Sequence, residues 1–227
     1  MAKKLTRKEL LKGPDEFLTI SERAVLFVRE HTRHFQYVGL AIVVLVLLYL
    51  GGNGYLKYVN KKGQETYNQA YNALAEKVND GTDQDALDKS AGLFQAVIDD
   101  YGLAKVSRLA SPELAYLKFR DKKYDEAIPL YQTFLSEVPE NSPYESLARL
   151  AIAACHEEKG DLAVAEQSLK EIISMEDDFI KEQAMLSLSR VYRLSGQKEK
   201  SKEVLNEFIE KYKDSSFAPL AQAYLAR

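Results

Sequence analysis

Few residues in this chain have chemical reach. Cys155 and His156 are adjacent, and a thiol beside an imidazole is the usual source of a thiolate nucleophile. Neighbours on a helix point about 100° apart, however, so the ring is badly placed to take the thiol proton. Only three histidines occur, His31, His34 and His156, and neither an HExxH motif nor zinc-ligand spacing is present. Asp80, Asp83, Asp85 and Asp88 are spaced superficially like calcium ligands, without the central glycine and distal glutamate of such a loop. They flank an expected helix start, where acids are favoured anyway. Gly51-Gly52-x-Gly54 lacks the strand-turn-helix context of a phosphate loop. The sequence carries no signal of an enzyme, a cofactor, a metal or a small-molecule substrate.

The elements that would position any site divide around one stretch. Phe35 to Leu56 reads FQYVGLAIVVLVLLYLGGNGYL and holds no charged residue. A helix of that length rises about 33 Å, enough to cross a bilayer core of roughly 30 Å. Tyr37 at one end and Tyr49, Tyr55 and Tyr58 at the other fall at headgroup level. The charged region before it runs 34 residues and no A-x-A site follows, which favours an uncleaved signal-anchor over a cleaved signal peptide. The expected organisation is a basic tail with short helices over 1–34, a transmembrane helix over 35–56, a linker over 57–63 and a folded domain over 64–227. Thr6-x-x-Glu9 and Thr19-x-x-Glu22 have capping-box spacing. Gly13-Pro14 separates the two tail helices. The second is expected to run from Ser21 straight into the membrane, and the glycines around Asn53 to loosen the far end or to mark a hinge for the folded domain.

Charge gives a direction. Residues 1–34 hold eight basic and five acidic residues, whereas 64–227 hold 20 basic and 29 acidic. Near the apolar stretch Arg23, Arg29 and Arg33 balance Lys57, Lys61 and Lys62, and Lys3, Lys4, Arg7, Lys8 and Lys12 of the tail tip the count. The positive-inside rule therefore favours a cytoplasmic tail and a large domain outside over the reversed topology with a cytoplasmic adaptor domain. An acidic domain repels polyphosphate, so nucleic acid is not an expected partner. With Cys155 the only cysteine, no intrachain disulfide is possible and the redox compartment is left open.

From Gln64 onward the apolar pattern is helical and repeats. SAGLFQAVIDDY, AIPLYQTFLSEV, AEQSLKEIISME and SKEVLNEFIEKY begin at Ser90, Ala127, Ala165 and Ser201. Each then carries a large residue four positions on (Phe94, Tyr131, Leu169, Leu205) and another seven on (Val97, Phe134, Ile172, Phe208). This spacing makes one packed helical face. Twelve residues before three of the starts lie Ala115, Ala153 and Ser189, small enough for two helices to approach closely. Turns fall at Asp121-Lys122-Lys123, Lys159-Gly160-Asp161 and Ser195-Gly196-Gln197. Ser142-Pro143-x-Glu145 reads as a helix start. Ser111-Pro112-Glu113 either starts a helix or kinks one under way from Leu103. A two-helix unit of such a period means a stacked solenoid. The fold class is all-α: one N-terminal transmembrane helix, then about four helical hairpins, closed by a helix within Phe217–Arg227.

Lys122–Pro139, with Tyr124, Ala127, Tyr131 and Pro139, resembles the tetratricopeptide-repeat family. The resemblance extends over 64–227, although tryptophan is absent and Gly102, Asp177 and Lys213 replace the terminal proline of the other repeats. It implies a protein-binding groove lined by the first helix of each hairpin, with Tyr116, Phe119, Arg120, Leu150, Ala154, Glu157, Leu186, Arg190 and Arg193 as candidate groove residues. For each singly, a place in the hairpin core is the competing reading. The basic tail with KGPDEF (Lys12–Phe17), one apolar helix and the repeat domain together resemble the bacterial YfgM-type ancillary subunits of the Sec translocon. That resemblance implies a single-pass inner-membrane protein with a periplasmic repeat domain, working near SecYEG with periplasmic chaperones on nascent secreted chains. The alternative is an envelope scaffold that organises a secretion, cell-wall or outer-membrane complex.

Overall fold

The computed structural model describes residues 16–75, 84–140, 142–175 and 180–226, with side chains from Glu22 onward. Among these residues the structure is helical, with ten helices and no strand. The chain divides into two units, Met1–Tyr55 and Leu56–Arg227.

The first unit contains α1 (Glu16–Glu30) and the greater part of the apolar run of α2 (Thr32–Ala75). The helices meet at His31, where Thr32 Oγ1 donates to the carbonyls of Val28 (3.0 Å) and Arg29 (2.8 Å). Such back-bonding competes with the helical ladder, so the expected uninterrupted run from Ser21 is broken at one residue. Because α1 starts at Glu16, Thr19 lies inside the helix and not at its start. Thr6-x-x-Glu9 and Gly13-Pro14 lie outside the described residues. α2 is long and apolar enough to cross a membrane. Its most apolar 18-residue window has a mean hydropathy of 2.1 and none of it is buried. Gly51, Gly52 and Gly54 do not loosen it: the helix runs through them to Ala75, because a single helix needs no left-handed residue there.

The second unit is a chain-ordered stack. It starts with the end of α2 and continues with α3 (Gln84–Asp100), α4 (Ser107–Arg120), α5 (Tyr124–Glu137), α6 (Pro143–Lys159), α7 (Leu162–Ser174), α8 (Lys181–Leu194), α9 (Lys198–Lys211) and α10 (Ala218–Leu225). From α3 to α10 each helix packs on the next. The four aligned segments are the second helices of four hairpins, α3, α5, α7 and α9. All twelve of their aligned residues are buried, from Ser90, Phe94 and Val97 to Ser201, Leu205 and Phe208. Ala115, Ala153 and Ser189 are buried opposite them. In the last hairpin the close approach is visible as a hydrogen bond, Ser201 Oγ donating to the Ser189 carbonyl at 2.8 Å.

The hairpin turns share one geometry. Lys122, Gly160 and Gly196 occupy left-handed backbone at φ 59°, 84° and 78°. The following amides, of Lys123, Asp161 and Gln197, donate to the carbonyls of Lys118, His156 and Tyr192. Glycine takes this conformation without a Cβ penalty, whereas Lys122 takes it at some cost. Ser142 caps α6 as expected, its Oγ accepting from the Glu145 amide at 3.2 Å. Pro112 sits inside α4, a helix already under way from Ser107.

Residues 57–63, expected as a linker, are helical, and Val59 and Gly63 are buried. A Cβ on Gly63 would lie 2.6 Å from Ala104 Cβ and 3.2 Å from Tyr101 Cβ, so α2 passes the loop before α4 at backbone distance. Asn60 Oδ1 accepts from the Lys105 amide at 2.8 Å beside it. The end of α2 is thereby the first helix of the first hairpin. Lys57, Lys61 and Lys62 are charges on the solvent side of this helix and do not mark a linker.

Candidate partner-binding surface

The first helices of the hairpins, α2, α4, α6, α8 and then α10, touch one another through side chains that span successive repeats. Tyr71 on α2 donates its hydroxyl to the carboxylate of Glu113 on α4. Burial, then that bond, pushes the phenol above its usual range, so the proton stays on tyrosine and the acid accepts. On α6, Glu157 is buried and takes two hydrogen bonds from Arg190 of α8, the second from Nη2 to Oε2 at 2.8 Å. The same bond is the largest reason that the Arg190 pKa is raised, and a bidentate fork of this kind fixes orientation as well as charge. Arg193, one turn further, lies over the ring of Tyr224 on α10, 4.9 Å from its centroid. These contacts mark the line along which the first helices meet.

Helical spacing sets the rest of the face around that line. Tyr116 and Arg120 lie three and seven residues after Glu113, and Leu150 and Ala154 seven and three before Glu157. Tyr116 is 50% exposed and Arg120 is exposed. Leu109, Tyr144 and Leu147 leave further apolar surface on α4 and α6. The nine predicted residues do not behave alike. Phe119 packs half-buried on Tyr124, with ring centroids 5.5 Å apart, in the cluster around Cys155. Leu150 is half-buried against the α7–α8 core, Ala154 is half-buried, and Leu186 is buried in the last cluster. The structure therefore leaves Tyr116, Arg120, Arg190 and Arg193 exposed and draws Glu157 inward as Arg190's partner. Sequence reasoning missed Tyr71, Glu113 and Tyr224. Tyr67 and Tyr71 at i, i+4 were the available signal for the first repeat.

The catalytic reading of Cys155 fails on geometry as well as spacing. The thiol is fully buried among Ala115, Ala127 and Tyr131, and burial pushes its pKa up to about 11. His156 Nδ1 faces Asp161 Oδ2 at 3.4 Å. Of the four aspartates, Asp85 lies in the first turn of α3 and Asp88 one turn on, while Asp80 and Asp83 fall outside the described residues. No cluster of three or more metal-ligating side chains occurs among the described residues.

A tetratricopeptide-repeat model matches residues 183–215, which cover all but the first two residues of α8, all of α9 and the chain leaving it. The match falls on the hairpin with glycine at its turn and no proline in either helix. The Lys122–Pro139 segment, which carried the resemblance, belongs to a hairpin with Pro112, Pro129 and Lys122. No curated protein sequence matches the chain significantly. Solved structures with a similar fold include TPR-like repeats of a kinesin-light-chain-type protein from Podosopora anserina. It has a TM-score of 0.58 and 13% identity over 74% of this chain and 85% of that one. MamA from Desulfovibrio magneticus RS-1 has a TM-score of 0.52 and 14% identity over 70% and 86%. A tetratricopeptide repeat protein from Parabacteroides merdae has a TM-score of 0.51 and 19% identity over 69% and 59%. At these identities the likeness is one of fold: the second unit is a tetratricopeptide-like solenoid.

Proposed function

We propose that this protein is a membrane-anchored repeat protein whose first-helix face binds other proteins as an ancillary factor at the exit of the Sec translocon. On this reading residues 35–56 cross a bacterial inner membrane once, residues 1–34 lie in the cytoplasm, and the chain from Lys57 onward is periplasmic. The observation that carries the reading is a wholly unburied apolar run on a helix whose far end is the first helix of a solenoid. A surface of that kind is stable only in lipid, and a solenoid on its end is held where emerging chains pass. Support for protein binding comes from the exposed Tyr116, Arg120 and Leu109 of α4 and Leu147 of α6. Aromatic and arginine side chains of this type anchor interfaces. Lys57, Lys61 and Lys62 mark the outer headgroups, and the acidic repeat unit repels anionic lipid from its body.

Photo-crosslinking from position 116 in cells tests it. The expected products are many nascent secreted chains together with SecYEG or a periplasmic chaperone. A single stable partner with no translocon component would overturn the translocon role in favour of an envelope scaffold.

A further inference from the structure

The helix α10 carries no charged residue within Ala218–Leu225, and its one strongly polar side chain is Gln222. A helix apolar all round is ordinarily covered all round. Here Ala218 and Ala221 are buried, whereas Leu220 is 42% exposed and Tyr224 and Leu225 are half-buried. In each hairpin before it, the first helix is covered by the second helix that follows. Among the described residues nothing does this for α10. What remains is a cleft of about 590 Å³ against α9, floored by Leu205, Tyr224 and Leu225 and rimmed by Arg193, Lys198 and Lys202.

The rim says what kind of segment fits. Residues 190–202 hold five basic residues and one acidic residue, in a domain whose 64–227 stretch has 20 basic and 29 acidic. Arg193 lies on Tyr224, Lys202 reaches Glu199 only at 3.5 Å, and Lys198 makes no ion pair among the described residues. A basic partner is repelled, and an uncharged one leaves the cations unmatched. A second copy offering its own α10 brings no acid to the rim.

We propose that the α9–α10 cleft docks a helical segment of a partner protein, apolar on one face and acidic along its edges. This surface shares Arg193 and Tyr224 with the end of the first-helix face but takes in none of its α4 residues. The test uses the full chain in detergent and a fluorescent synthetic peptide of about 14 residues, roughly four helical turns, with leucines on one face and glutamates beside them. A control peptide replaces the glutamates by lysines. Anisotropy should show saturable binding of the acidic peptide only. Binding should weaken at least about tenfold in Lys198→Glu/Lys202→Glu and weaken again as salt rises. Leu225→Glu should abolish it, and Tyr116→Ala, on the other face, should leave it unchanged. Both lysines are exposed, so their reversal does not threaten folding. The proposal is overturned by absence of saturable binding, by equal binding of the lysine peptide, or by indifference to the charge reversal. A concentration-dependent dimer lost in Leu225→Glu would overturn it in favour of a second copy.

Discussion

The two units use the same apolar residues in opposite ways. In the apolar run of α2, Leu40, Leu45 and Leu48 are all more than half exposed, and no face is spared. In the repeat unit Phe94, Leu169 and Phe208 are almost wholly buried, and apolar residues recur at i, i+4 and i+7 with polar ones between. On the proposed reading the difference is one of solvent. A pattern with a polar face is solved by water outside and helix inside, whereas a pattern without one is solved only by a medium as apolar as itself. The comparison also shows where one regime yields to the other. Within α2 the first buried residue is Val59, followed by Gly63, Ala70 and Ala73, so a single helix changes its surroundings without breaking.

Substitutions should separate the regimes. Phe94→Ala is expected to cost about 3–5 kcal/mol of repeat-unit stability, read by denaturant melting, and to leave membrane extraction by carbonate unchanged. Leu45→Arg should do the reverse. It places a charge in the centre of the apolar run at a cost of about 2.5–3.5 kcal/mol on the insertion scale, shifting the protein toward the soluble fraction while the melting transition stays where it was. Gly63→Ala probes the point of change. The new methyl meets Ala104, and overpacking of this kind costs about 1–3 kcal/mol, with hydrogen exchange rising first in the loop between α3 and α4. The smallest effects belong to the turns. Gly160→Ala should destabilise by about 1 kcal/mol, while Lys122→Gly should be neutral or stabilising by up to about 1 kcal/mol. Equal effects of the two would mean that the turns are not equivalent.

The repeat core was legible because its signal is periodic. Twelve positions read from four aligned segments are buried, and the hairpin turns fall at Lys122, Gly160 and Gly196. The first hairpin was not legible at its start. Its first helix is the end of an apolar run, so Val59 and Gly63 have no amphipathic stripe upstream to announce them, and only the distance to Ala104 reveals why glycine is there. The break at His31 was equally silent, since it rests on the Thr32 hydroxyl rather than on a proline or glycine. Of the candidate surface, exposure was legible for some residues and contacts between helices were not. Helical spacing placed Arg190 and Arg193 together, but the contacts of Glu157 with Arg190, and of Arg193 with Tyr224, span separate repeats, and spacing within one helix says nothing of them. Leu186 and Phe119 were claimed by the core because an apolar residue at a repeat seam is drawn to the nearer hairpin.

The central claim, a solenoid held outside the cytoplasm by one helix, has a direct test that the structure improves. Cys155 is buried and its thiol held up to about 11, so it stays silent to a membrane-impermeant maleimide in the native protein and labels only after denaturation. Replacing the exposed Lys213 by cysteine, in the loop before α10, supplies the reporter. In intact spheroplasts, Lys213→Cys should label at once, with the protein remaining in the membrane pellet after carbonate extraction. Labelling of position 213 only after the membrane is permeabilised would contradict the account.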